Sequence, residues 1–289
     1  MAHSLKPFYL PPLPCSGNEV RGAELLKELQ ASDLDDLSSA NALLQKLNTR
    51  LRYRLIYLAS TTSTQDVARD LAERGAPEGT VVVAELMTAG RGRRGRRWHA
   101  GPGGLWLTIV LRPPPAHFQL LSLLPALAVV RALERSLGIK AEVKWPNDVL
   151  IGGRKLCGIL AEATFTGDRG YLLLGLGVNV NNELPPELGS RAVSLREVLG
   201  RRVPRLPLLI AILLEFDSLY SSLLRGEAED VLAELRRRMS TLGRRVRAVM
   251  PDGVVEGLAV GLARDGSLLL KLSDGSLLPL RVGDVIHLR

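Results

Sequence analysis

At 289 residues, 46% of them hydrophobic, the chain can bury a sizeable core in one or two domains. Its longest nearly uncharged stretch, 118–130, is too short to span a bilayer and contains Pro125, while Pro7, Pro11, Pro12 and Pro14 break any leader peptide, so a cytoplasmic protein with no membrane partner is expected. The formal net charge of +8 admits a nucleic-acid partner, yet residues 1–50 carry five basic groups against six acids, which makes no DNA-binding arm.

In chain order, residues 1–50 form an N-terminal extension: a proline-rich tail, then two short amphipathic patterns at Ala23–Gln30 and Ala40–Leu47. Residues 51–241 mix strands with helices. Periodicity predicts strands near 55–58, 80–86, 105–111, 142–145, 147–151, 155–163 and 171–180, and helices near 64–74, 119–137, 206–224 and 227–240. Ser63 and Asp66 make a capping-box-like pair opening the helix that runs to Arg74. Gly152-Gly153 sits where a tight hairpin turn belongs, and several strands follow one another with no helix between. The fold class is therefore α+β, with a mixed or largely antiparallel sheet. Residues 242–289 are short strands punctuated by Pro251-Asp252-Gly253, Asp265-Gly266, Asp274-Gly275 and Gly283-Asp284, a spacing that predicts a small all-β domain. Arg236, Arg237, Arg238, Arg244, Arg245 and Arg247 straddle that boundary and suit a solvated helix end. Cys15 and Cys157 lie far apart without partner histidines, which supports neither a disulfide framework nor a zinc site, and Cys157 reads as a small buried hydrophobe on a strand.

The most specific stretch is Gly90-Arg91-Gly92-Arg93-Arg94-Gly95-Arg96-Arg97-Trp98, five arginines among three glycines, with no Asp or Glu between Glu85 and Glu134. Such a backbone wraps a small, highly charged anion, and its like charges and glycines predict mobility in the free protein. The letters also fit the dinucleotide fingerprint, but that motif opens a helix and expects an acid about 20 residues on. Here Gly101-Pro102-Gly103-Gly104 breaks any helix and an apolar strand follows. The element is a strand, a long basic glycine loop and another strand.

Four further clusters join the loop: Ser63-Thr64-Gln65, Lys144-Trp145-Pro146-Asn147-Asp148, Gly152-Gly153-Arg154-Lys155-Leu156-Cys157-Gly158, and Gly175-Leu176-Gly177-Val178-Asn179. In this order and at these spacings the set resembles the biotin protein ligase family, over roughly residues 51–289. The resemblance implies a catalytic domain of the biotin/lipoate ligase type at 51–241 and a small C-terminal Src-homology-3-like β-barrel at 242–289. Some members add a winged-helix repressor module at the N-terminus. That module needs about three helices and a β-hairpin wing, which residues 1–50 do not accommodate, so a catalytic-only form without specific DNA binding is expected, as a monomer or homodimer.

The implied chemistry has two steps, with ATP, Mg2+ and biotin as reactants and cofactor. The biotin carboxylate attacks the α-phosphate of ATP to give biotinyl-5'-adenylate and pyrophosphate; a lysine amine of a biotin carboxyl carrier protein then takes the biotin and releases AMP. Two anions must meet in the first step and a carbonyl must gain charge in the second, so cations and N–H groups aimed at those oxygens are required. Lys155, Arg91 and Arg93 are the expected catalytic side chains. Lysine supplies only seven of the 38 basic residues, and a compact ammonium fits between carboxylate and phosphate where a guanidinium would crowd. Ser63, Thr64 and Gln65 are expected to bind the ureido ring, with Met87, Gly90, Gly92 and Gly158 completing the biotin site beside Arg91, Arg93 and Lys155. ATP and adenylate are assigned Arg93, Arg94, Trp98, Lys144, Asn147, Asp148, Lys155, Asn179 and Arg289, with Asp148 holding magnesium through water. Relatives usually place a glutamine where Met87 stands, so a thioether that packs apolar surface is expected to forgo one polar contact. Trp98, Trp106 and Trp145 are each candidates for a pocket wall or for core.

Two other functions stay open on sequence. Lipoate ligation shares the catalytic fold, although the glycine loop and the C-terminal β domain favour biotin. A nucleic-acid binder would use the basic loop, but only Trp98 offers a base-stacking surface there.

Overall fold

The computed structural model describes residues 35–167, 169–250 and 253–288. The elements run α1 (Ala40–Gln45), β1 (Arg54–Thr61), α2 (Thr64–Glu73), β2 (Thr80–Met87), β3 (Leu105–Leu111), α3 (Phe118–Leu121), α4 (Leu124–Leu137), β4 (Glu142–Lys144), β5 (Asp148–Ile151), β6 (Arg154–Thr166) and β7 (Arg169–Val178). Then follow α5 (Leu195–Leu199), α6 (Arg205–Leu224), α7 (Ala228–Arg238) and the strands β8 (Arg245–Met250), β9 (Gly253–Leu262), β10 (Leu268–Lys271), β11 (Leu277–Leu280) and β12 (Asp284–His287).

The first sheet has seven strands in the order β1-β2-β3-β7-β6-β5-β4. Only β1 and β2 are parallel, and α2 makes that crossover; every other neighbour is antiparallel. Alternation divides the side chains between two faces. Val82, Val110 and Leu173 pack under Ala68 and Ala72 of α2. Val81, Val83, Ile109, Leu172 and Leu174 face the larger cluster with α4 and α6. Gly152 and Gly153 both adopt positive φ, 56° and 78°, in the two-residue turn between β5 and β6.

The single helix expected at 119–137 is two, divided at Ser122-Leu123. Pro125 in the first turn of α4 explains the break, since its ring conflicts with the carbonyl four residues back. Helix α5 was not expected; Ser194 caps it by accepting from the Glu197 N–H. Residues 35–50 lie on the body of the protein, with Leu37, Ala40 and Leu44 buried and Asp35 bonded to Arg205 of α6. The Ala23–Gln30 pattern, Cys15 and Arg289 fall outside the described residues. Among those residues α6 alone is long and apolar enough to cross a bilayer, and 78% of its apolar window is buried inside the protein. At its centre Glu215 meets Arg131 and Arg135 of α4.

The second sheet is antiparallel, in the order β11-β10-β9-β8-β12. Its inner residues Val246, Ala248, Ala259, Leu268, Leu280 and Val285 belong to the same core cluster as the first sheet. Trp145 fixes the junction: its backbone N–H donates to Thr241 Oγ1 (3.0 Å) and its indole N–H to the Gly266 carbonyl (3.2 Å). Of the six arginines at the boundary, only Arg236, Arg237 and Arg238 lie on a helix end; Arg245 and Arg247 belong to β8.

Candidate active site

A cavity of about 510 Å³ lies over β6 and β7 and is closed by the glycine loop and the start of β12. Fifteen of the expected site residues line it: Ser63, Thr64, Gln65, Met87, Arg91, Gly92, Arg93, Arg94, Trp98, Lys144, Asn147, Asp148, Lys155, Gly158 and Asn179. Gly90 does not. It is buried behind the wall, where a Cβ would lie 2.7 Å from the Trp98 carbonyl.

One end is neutral and hydrogen-bonded to itself. Ser63 caps α2 by accepting from the Gln65 N–H (3.2 Å). Gln65 donates through Nε2 to the Leu160 carbonyl (3.3 Å), and its Oε1 accepts from Thr108 (3.0 Å), whose hydroxyl also lies 2.9 Å from Thr64 Oγ1. The Met87 sulfur completes this set, accepting from the Thr64 N–H (3.3 Å) with the Thr64 hydroxyl 3.6 Å away. The expectation that Met87 only packs apolar surface is therefore corrected. Thioether sulfur is a weak acceptor, and the unpaired N–H groups of the first helical turn give it a donor.

Asp66 needs a similar correction. It does not complete a capping box; its carboxylate takes both terminal nitrogens of Arg91, at 2.7 Å for Nη1. That bond holds the Asp66 carboxyl below its ordinary range.

The other end is charged. Lys155 Nζ lies 2.6 Å from Asp148 Oδ1 and 5.3 Å above the Trp98 ring. The strand around it is doubly paired, because the Lys155 N–H also donates to the Arg191 carbonyl and its own carbonyl accepts from Val193. Asn147 bonds the Ile159 carbonyl (2.9 Å) and accepts from Arg93 (3.3 Å). Asn179 is buried and accepts from Asn182 (3.2 Å). Lys144 forms no ion pair among the described residues. Cys157, two residues along β6 from Lys155, is fully buried, and burial pushes its thiol far up, so it is no nucleophile.

The floor is made of glycine. Cβ atoms at Gly158, Gly175 and Gly177 would lie 3.0 Å from Lys155 Cε, 2.7 Å from Gln65 Oε1 and 2.5 Å from the Trp98 indole nitrogen, respectively. These close approaches let long side chains lie flat on the sheet. The Trp98 indole nitrogen has no hydrogen-bond partner among the described residues. Trp106 is instead fully buried core, edge-on to Trp98 at 6.3 Å, and Trp145 is 1% exposed.

The loop differs most from expectation. Its arginines lack acids nearby in sequence but not in space. Arg91 has Asp66, while Arg93, Arg94 and Arg96 converge on Asp284 at 3.3, 3.9 and 2.6 Å. Arg93 also donates to the Gly283 carbonyl (3.0 Å) and Arg94 to that of Val249. Burial pulls the Arg93 guanidinium below its ordinary value and Asp284 opposes this. Arg94 takes a left-handed conformation, φ 56°, inside a 3-10 turn at Arg93–Gly95. These bonds tie the loop to the second sheet. Sequence reasoning missed Thr108, Gly175, Gly177, Arg97, Arg191 and Asp284 as lining residues. Arg97 carried a signal as part of the basic loop, and Gly175 and Gly177 as glycines inside an apolar strand; Thr108, Arg191 and Asp284 carried none.

Comparison with known proteins agrees with this geometry. The Biotin/lipoate A/B protein ligase family matches residues 57–179, and the biotin protein ligase C-terminal domain matches residues 241–288. The chain is 39% identical over 228 residues to the bifunctional ligase/repressor BirA of Bacillus subtilis, covering 76% of this chain and 70% of that one. It is 35% identical over 245 residues to the biotin--[acetyl-CoA-carboxylase] ligase of Mycobacterium tuberculosis, covering 82% and 90%. The structure resembles the biotin protein ligase of Aquifex aeolicus in complex with biotin and ATP, with a TM-score of 0.71 and 32% identity over 82% of this chain and 99% of that one.

Proposed function

The chain belongs to the biotin protein ligase family, and from that premise we propose that it is an ATP-dependent ligase activating biotin as biotinyl-5'-adenylate and passing it to a lysine of a cytoplasmic biotin carboxyl carrier protein. One observation carries this reading. A single cavity sets a self-bonded neutral end at Ser63, Thr64 and Gln65 against a charged end at Lys155 and Arg93. Biotin has that polarity, a neutral ureido ring at one end and a carboxylate at the other.

In this reading the ring lies at the start of α2, where the second Nε2 proton of Gln65 and the Ser63 hydroxyl remain to be used. The carboxylate then points at Lys155. Its ammonium exchanges part of its contact with Asp148 for the carboxylate and an α-phosphate oxygen, and lowers the repulsion between them. Arg91, held by Asp66, lies on the biotin side of the loop, and Arg93 on the phosphate side. The flat Trp98 ring and Asn179 fit the adenylate, with the free indole N–H as a donor. In the transfer step the same cations stabilise the charge that develops on the carbonyl when the carrier's amine attacks, and AMP leaves. Lys144, which lines the same cavity, would face the incoming nucleotide or carrier.

Magnesium fits only as an ion carried by the nucleotide. No group of three potential ligands occurs among the described residues, and Asp148 already faces Lys155. One carboxylate acting through water beside substrate phosphates suits a metal that keeps several of its waters. When bound it would offset phosphate charge.

The test is incubation with ATP, magnesium and either biotin or lipoate, with mass detection of the adenylate. Biotinyl-adenylate alone is expected; lipoyl-adenylate as the dominant product would overturn the assignment. The C-terminal domain match at 241–288 supports biotin.

A further inference from the structure

We propose that Asp284 is an internal stand-in for a phosphate group: in the free protein it occupies the anion site formed by Arg93, Arg94 and Arg96, and the nucleotide's polyphosphate must displace it. This rests on reading the cavity as a nucleotide site and concerns how that site is regulated. Asp284 begins β12, 188 residues after Arg96, so only the tertiary fold brings them together. Gly283 makes the approach possible. Its φ is 141°, a Cβ there would lie 3.2 Å from the Val249 carbonyl, and its own carbonyl accepts from Arg93.

The arrangement is one carboxylate with three guanidiniums, on the wall of a cavity. Eight cationic side chains line that cavity: Arg91, Arg93, Arg94, Arg96, Arg97, Lys144, Lys155 and Arg191. Five are ion-paired, to Asp66, Asp284 or Asp148. Arg97, Lys144 and Arg191 form no ion pair among the described residues. An incoming polyanion meets those three first and gains the loop arginines only by displacing Asp284. The exchange is favourable, because phosphate offers more charge and more acceptor oxygens than one carboxylate. It is also geometrically cheap. Arg94 keeps its bond to the Val249 carbonyl on β8, outside the segment that moves, and Arg93 keeps its contact with Asn147, so the guanidiniums stay oriented when Asp284 and the Gly283 carbonyl leave. Asp284 next to bound phosphate is a like charge, and the start of β12 must then give way. The latch also masks the loop from unrelated polyanions, which matters in a chain of net charge +8.

The test is calorimetric titration of the full chain with sodium pyrophosphate, without biotin. Asp284→Asn should bind about threefold to tenfold more tightly than the parent, whereas Asp284→Glu, which keeps the charge, should stay near it. Equal or weaker binding by Asp284→Asn would overturn the proposal and make Asp284 a residue that orients the arginines for phosphate. Should Asp284→Asn fail to fold, amide exchange on the parent decides instead. Pyrophosphate should speed exchange in residues 281–286 while 91–97 stay protected, and unchanged exchange at 281–286 rejects the latch. Failure is separable from failure of the proposed function. Intact biotin ligation without a gain in pyrophosphate affinity rejects only the latch; a gain without any ligation rejects only the ligase.

Discussion

The protein contains two clusters in which several arginines share few carboxylates, and they behave as opposites. In the helix layer Arg131 and Arg135 of α4 meet Glu215 of α6, and Arg131 and Arg238 share Glu234 of α7. At the cavity Arg93, Arg94 and Arg96 share Asp284. The ions are the same; the scaffolds are not. Glu215 is 2% exposed, with every partner anchored on a packed helix, so no ligand can replace it. Asp284 is about one-fifth exposed and faces a cavity, and its partners sit on a loop that turns at a left-handed Arg94 and Gly95. A charge cluster becomes a binding site where the competing ion can leave without unpacking the core.

The largest effect expected from this contrast is on stability. Glu215→Ala removes the one acid that Arg135 pairs with among the described residues, and breaking a buried pair from one side costs about 3–5 kcal/mol. Denaturant midpoints should show that loss while activity per folded molecule stays within about twofold. If Asp284→Asn destabilises the protein as much as Glu215→Ala does, the distinction between the clusters collapses.

Next is a catalytic effect with little change in stability. Lys155→Ala should slow adenylate formation by about a hundredfold or more, the scale for losing one preorganised charge donor. Its pair with Asp148 is about one-third exposed on the lysine side, so a melt should show a change of less than about 1 kcal/mol. Single-turnover rates within threefold of the parent would remove Lys155 from the chemistry.

These contrasts also mark what the sequence could show. The elements of the first sheet are legible because period-two alternation and the hairpin glycines Gly152 and Gly153 are local signals. Lys155, Asn147 and Asp148 stand out only through the family resemblance, because a Gly-Gly hairpin and a Pro-Asn-Asp turn use the same residue types for backbone reasons. Asp66 is misleading, since spacing makes it a capping partner while its carboxylate binds an arginine 25 residues away. Asp284 carries no signal: in sequence it is one residue of a Gly-Asp turn, and its role depends on how the second sheet docks. Thr108 is hidden in the same way, as one polar residue in an apolar strand.

A smaller effect tests the neutral end of the cavity against the charged one. The Met87 sulfur accepts from Thr64. In Met87→Gln the amide oxygen, a stronger acceptor, can take over that contact while its NH2 group adds a donor to the cavity. One neutral hydrogen bond contributes about 0.5–1.5 kcal/mol, so biotin should bind about threefold to tenfold more tightly. ATP affinity should be nearly unchanged. Calorimetry that finds unchanged or weaker biotin binding would show that the thioether packing already compensates.

The smallest effect concerns pH and the junction between the sheets. His287 on β12 is half-buried and lies 3.2 Å from Thr241 Oγ1, the group that accepts the Trp145 N–H. Burial is the main cause that lowers its pKa from 6.5 to about 4, and the Lys144 and Arg244 charges add to it. The folded protein therefore holds His287 neutral, whereas the unfolded chain protonates it near 6.5. The sign follows directly: above 6.5 both states are neutral and stability is full, and between 6.5 and about 4 the unfolded state gains protons that the folded state does not, so stability falls with pH. His287→Gln keeps a hydrogen-bonding side chain for Thr241 and cannot titrate. The difference in melting temperature between the parent and His287→Gln should shift in favour of the variant by about 2–4 °C on going from pH 7.5 to pH 5. A pH-independent difference would mean that His287 stays accessible to water and titrates alike in both states.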